Sequence, residues 1–143
     1  MIQPNANGHR VLQPAAWPPP RGYANGIAAT GETIVLAGQI GWDARGTLAN
    51  GFVAQTAQAL TNIVTLLAEA GARPHHLVRL TWFVTDLNAY RGNLPAIGAA
   101  YREIIGRHFP AMSVIGAAGL VEQGALVEIE STAILPPQHT SGT

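Results

Sequence analysis

Apolar residues recur along this chain with two periods, and the switch between them marks its elements. In FVAQTAQALTNIVTLLAEAG, Val53, Ala57, Leu60, Ile63, Val64 and Leu67 fall three or four residues apart, which predicts a helix with one apolar face. Gly71 is placed to stop it, because glycine takes the left-handed conformation that ends helices. A second stripe steps through Tyr90, Leu94, Ile97, Tyr101 and Ile104. Pro95 predicts that its regular helix begins near Leu94, and Gly106 ends it. HLVRLTWFVTD alternates instead, with Val78, Leu80, Trp82 and Val84 on one face and Arg79, Thr81 and Phe83 on the other, as a strand requires. ETIVLAGQIGWD is a β-branched apolar run and reads as a strand buried on both faces. Two more strands are predicted at about Met112–Ala117 and Ala125–Leu135. The last puts Val127, Ile129, Ser131 and Ala133 on one face, and Leu126, Glu128, Glu130, Thr132 and Ile134 on the other. A short edge strand is predicted around Arg10–Leu12 in the proline-rich start.

This order predicts an α+β domain, one mixed sheet with two helices on a single face. The opposite face would carry Phe83, Leu126 and Ile134, which are too apolar for open water, so other copies of the chain are expected to cover it. Composition points the same way: 48% of the 143 residues are hydrophobic and 11% charged. Residues 1–21 read as an extended lead-in, 22–136 as the domain and 137–143 as a disordered tail.

All eight basic residues are arginine, matched by eight acids, and no basic tract exists, which argues against nucleic acid as a partner. Without lysine there is no Schiff-base nucleophile, and without cysteine no thiolate, disulfide or Cys-ligated metal. No stretch approaches bilayer-spanning length or the form of a secretory leader, so a cytoplasmic protein without a membrane partner is expected. His75 and His76 are adjacent and point apart, a poor metal pair, and His108 reads as a cation at a helix C-terminus. Neither metal nor cofactor is expected.

Two features remain for chemistry: a methionine at 112 after Pro110 and Ala111, and the carboxylates Glu128 and Glu130 near the end of an apolar run. Taken alone, Met112 reads as core filler, the glutamates as a solvated strand face, and Tyr23 and Trp42 as packing residues.

GYANG, LAGQIGWD, QALTNIVTLLAEAGA, VRLTWFVTDLNAY, AAYREIIGRHFPA and GALVEIESTAIL, in this order, resemble the RidA/YjgF reactive-intermediate deaminases, also called L-PSP endoribonuclease-like proteins. The resemblance runs from about Gly22 to Leu135. It implies a chorismate-mutase-like fold, a homotrimer whose sheets form a central barrel, and sites at the subunit interfaces that hydrolyse small imines or enamines. By match to the family pattern, Tyr23 and Glu128 are the catalytic candidates, and Gly38 is a glycine whose backbone faces the substrate. The chain also departs from that pattern. Met112 stands where the family has a carboxylate-clamping arginine, Ala37 where it has serine, and Gly98 where the site asparagine falls, after a helix about one turn longer. Trp42, Ser113 and Val114 complete the substrate-contact candidates, with Glu122 as an added acid in the loop GLVEQG. The implied activity is deamination of a small imine or enamine with a non-standard substrate. The alternatives are a non-catalytic small-molecule-binding or regulatory trimer and, against the lysine-free composition, an endoribonuclease.

Overall fold

The computed structural model describes residues 7–138. Two short strands, β1 (Arg10–Val11) and β2 (Ile27–Ala28), pair with each other as an antiparallel ribbon. The main sheet comprises β3 (Glu32–Ile40), β4 (Leu77–Val84), β5 (Ala111–Gly116) and β6 (Val127–Leu135), in the order β3-β6-β4-β5. Only β4 and β5 run parallel. Helix α1 (Phe52–Glu69) links β3 to β4 through a 3₁₀ turn at Pro74–His76, and α2 (Leu87–Gly92) and α3 (Leu94–Ile104) link β4 to β5.

The predicted class therefore holds, a mixed sheet with its helices packed on one face. Its core joins Leu60, Ile63 and Leu67 of α1 to Leu77, Leu80, Trp82 and Val84 of β4, Val127 and Ile129 of β6, and Ile97 and Tyr101 of α3. Several local expectations need correction. The first predicted strand does not join the main sheet, because β2, unforeseen in the sequence, pairs with it. β3 is an edge strand, not one buried on both faces, and Val35 is 74% exposed. In β4 the alternation slips: Leu77 and Arg79, two positions apart, pair with the consecutive residues Ala133 and Thr132 of β6, so Val78 bulges out of the ladder and Leu77 enters the core in its place. The second helical stripe, by contrast, is as expected: its regular helix, α3, begins at Leu94 with Pro95 in the first turn, and Tyr90 lies on the short separate helix α2.

In α1 the buried face is rotated from the purely apolar stripe: Gln55, Thr56 and Ala59 are buried, whereas Val53, Ala57 and Val64 are half-buried. Polar residues can occupy that face because their groups are satisfied. The Thr56 hydroxyl donates to Phe52 O at 2.9 Å. Gln55 Nε2 donates to Ala49 O and Gly124 O, and its Oε1 accepts from Leu126 N at 2.8 Å. Gln55 thus ties the loop after β3, and the connection into β6, to one helix. The sheet meets α1 closely here, since a Cβ on Gly41 would lie 2.4 Å from Gln55 Cα.

A histidine cluster anchors the start of the described chain. Buried His9 has its ring centroid 5.8 Å from that of His108, and His75 and His76 are 4.2 Å apart. Asn7 Nδ2 lies 3.2 Å from His9 Nδ1, and Arg73 N donates to His76 Nδ1 at 2.9 Å, so both rings accept through a nitrogen that protonation would occupy. His108 bonds Leu77 O through Nε2 at 2.7 Å. Burial above all, with added repulsion from neighbouring histidines in each case, lowers the pKa of His9, His76 and His108. His108 is therefore a neutral packing group and not the helix-terminal cation expected.

The stabilising contribution of these histidines is complete above the ordinary histidine value of 6.5. As pH falls from there through the lowered folded values, the unfolded chain binds protons that the folded one refuses, and stability is lost. Melting temperature is expected to fall between pH 7.5 and 5.5, and less steeply in His9→Gln. A flat profile for the wild-type chain would refute the neutral-cluster assignment.

Candidate functional site

The segment after Arg21 turns at Gly22, whose φ of +76° suits glycine, and Ala24 then pairs in parallel with Ala111 at the outer edge of β5. Ala24 N donates to Pro110 O at 3.0 Å. This bridge sets Tyr23 beside the start of β5, where it borders a cavity of about 520 Å³ between β5, α2 and α3. Gly98, Met112 and Val114 line the same cavity. Parallel pairing places Met112 opposite Leu80 and Val114 opposite Trp82, so both share the helix-covered face and pack against the core. Met112 is thus core packing and cavity wall at once.

The remaining wall was not foreseen as a site. Trp82, Tyr90, Ile97 and Tyr101 read in the sequence as core stripe, and here they line the cavity as well. Trp82 and Tyr90 meet edge to face at 6.1 Å, and Tyr101 stacks on Phe109 at 5.5 Å. Burial raises the pKa of both Tyr90 and Tyr101, strongly for Tyr101, whose hydroxyl donates to His108 O at 2.6 Å. Both phenols are neutral groups and not bases. Arg21 and Arg102 also line the cavity, as do Leu94 and Phe109, and no carboxylate does. The signal for Arg102 in the sequence was its position four residues after Gly98, one turn along the same helix.

Glu128 lies elsewhere in the chain. It pairs with Phe83 of β4 and Ile40 of β3, which puts it on the sheet face opposite Met112. There it leans over Gly38: a Cβ at that glycine would sit 2.5 Å from Glu128 Oε2 and 2.7 Å from Cγ. β3 carries an extra residue between Leu36 and Gln39, a bulge that contains Ala37 and Gly38. Ala37 is exposed, and its carbonyl accepts from Gln39 Nε2 at 3.0 Å. Ser113 pairs with Thr81 and so shares the open face, separated from Met112 and Val114 by the two-residue period of the strand. Glu130 is exposed and Glu128 half-buried. Trp42 is 40% exposed across from Leu48, Glu122 is exposed between β5 and β6, and neither lines the cavity. Within one chain, Tyr23, Gly98, Met112 and Val114 therefore lie on the helix side of the sheet, and Gly38 and Glu128 on the open side. Among the described residues no group of three or more His, Cys, Asp or Glu is arranged to hold a metal, and no helix is long and apolar enough to cross a membrane.

The family model described as Endoribonuclease L-PSP matches residues 14–135. The chain belongs to this family. The Rid chain is 33% identical over 134 residues to the 2-iminobutanoate/2-iminopropanoate deaminase of Capra hircus, across 92% of this chain and 94% of the relative. It is 32% identical to the Homo sapiens protein of the same name, with the same coverage of both chains. Among solved structures, the Rid family protein YyfB from Yersinia pestis, described as of unknown function, superposes with a TM-score of 0.79 at 36% identity. That superposition covers 90% of this chain and 99% of the other. The fold is that of the Rid proteins.

Proposed function

We propose that this Rid chain hydrolyses a small imine or enamine at a site shared between copies of itself. The observation that carries the reading is the separation of the half-sites: Glu128 and Gly38 lie on one sheet face, Met112 and Gly98 on the other. No movement of side chains brings them together in one chain, because the sheet lies between. A neighbouring copy can supply the missing half. The open face that carries Phe83, Ile115 and Val35 needs cover, and a head-to-tail contact that closes on itself gives a ring. A trimer is the expected ring.

In such a site Glu128 of one copy acts as the proton exchanger beside the cavity of the next. Water adds to the C=N carbon while the carboxylate accepts its proton, and the proton passes to nitrogen. Collapse of the aminoalcohol breaks the C–N bond, so imine plus water becomes ketone plus ammonia. The backbone at Gly38 can approach the reacting atoms because no side chain intervenes. Absence of arginine at 112 leaves the substrate anchored differently from the family pattern, which marks a different substrate.

Light scattering at micromolar concentration is expected to give three times the 15.0 kDa chain mass. Ammonia release from imines generated in situ from a panel of amino acids then tests the chemistry. A monomer would remove the shared site, and a trimer inert toward the whole panel would favour a binding or regulatory protein.

A further inference from the structure

Met112 offers an anion no partner, but two guanidinium groups, those of Arg21 and Arg102, stand in the lining of the same cavity. Arg102 leaves α3 one turn beyond Gly98, and its guanidinium lies across that glycine, where a Cβ would be 3.5 Å from Nη1. Any side chain much longer than alanine at 98 would compete with Arg102 for this space. With Arg102 and Arg21 in the lining and no carboxylate, the cavity has a cationic rim. Its floor is aromatic and apolar: Trp82, Tyr90, Ile97, Tyr101, Met112 and Val114. At about 520 Å³ it falls within the range of roughly 300–1,000 Å³ typical for drug-sized ligands, far more than a four-carbon imino acid fills.

We propose that this cavity binds a 2-imino acid, and the 2-oxo acid formed from it, with an aromatic or large branched side chain. The carboxylate pairs with Arg102, whose planar fork suits two oxygens, and the side chain lies on the aromatic floor. The position of Met112 then becomes part of the floor, and selection moves from a small anion to an amphipathic one. This inference rests on the imine-hydrolase reading only for the group next to the carboxylate.

Calorimetric titration of the intact protein with three unreactive probes tests it: phenylpyruvate, 2-oxobutanoate and uncharged phenylacetone. Wild type is expected to bind phenylpyruvate at least tenfold more tightly than either of the others. Arg102→Gln is expected to lose tenfold or more for phenylpyruvate with phenylacetone unchanged, and Arg102→Lys to recover part of the loss. Equal binding of phenylpyruvate and phenylacetone by wild type, or no loss in Arg102→Gln, would overturn the proposal whatever the variant's stability. Hydrolysis of small imines without phenylpyruvate binding would overturn it while sparing the activity. Tight phenylpyruvate binding without hydrolysis would support it and defeat the activity instead.

Discussion

Glu128→Gln is expected to lower kcat for imine hydrolysis by about 10²–10⁴-fold, the usual contribution of a positioned proton-transfer group. Glutamine keeps the shape and hydrogen-bonding reach of the side chain but cannot take the proton from water, so binding of 2-oxo acids should change little. Glu128 is half-buried and stands on the open sheet face, so melting temperature should also stay close to that of the wild type. Gly38→Ala offers an independent check on the same carboxylate. Its new Cβ would sit 2.5 Å from Oε2 and 2.8 Å from Cδ, which forces the carboxylate to swing away while leaving it chemically intact. Misplacement by about 1 Å can cost on the order of 10²-fold, so this variant should lose rate without losing its glutamate. A wild-type rate in Glu128→Gln would move the chemistry to another group. Full activity in Gly38→Ala would mean that close approach of β3 does not orient the carboxylate.

Leu60→Ala should produce the largest loss of stability, about 2–5 kcal/mol, from lost burial and the cavity left behind. Leu60 is fully buried on α1 within the cluster that joins the helix to β4 and β6. For a chain of this size the melting temperature should drop by about 8–20 °C, compared at fixed protein concentration because assembly adds to apparent stability. Val53→Ala is the matched control. Periodicity placed Val53 on the same stripe, but it is only half-buried, so a loss well below that of Leu60→Ala is expected. Similar losses in both variants would place the buried face of α1 where the apolar stripe alone put it.

That contrast shows where sequence periodicity ends. Apolar spacing located α1, β4 and β6 and the centre of each inward face, such as Leu60, Ile63 and Leu67 of α1 and Leu80, Trp82 and Val84 of β4, because burial of one face is a local demand that each element records in its own residues. The stripe could not reveal that Gln55 and Thr56 belong inside, since their acceptability depends on hydrogen bonds to Ala49, Gly124, Leu126 and Phe52. The bulge at Val78 was equally hidden, as it arises from register against Thr132 and Ala133, 54 and 55 positions along the chain from Val78. β1 lies where a short edge strand was expected, but its partner β2 has only two residues, too few for a period to register.

The site divides in the same manner. By itself the sequence determined the family pattern, the α+β class, and the residue types at 23, 38, 98, 112 and 128, all properties of residues in linear order. Only the tertiary structure decided which of these meet. Strand pairing put Met112 and Val114 on the helix side, Ser113 and Glu128 on the open side, and Gly38 beneath the carboxylate. Helix α3 brought Arg102 to the cavity across a glycine that sequence comparison could read only as a missing asparagine. The physical reason is that alternation along a strand and rotation along a helix fix a side chain's direction locally. What lies in that direction is fixed by pairings between segments far apart in the chain.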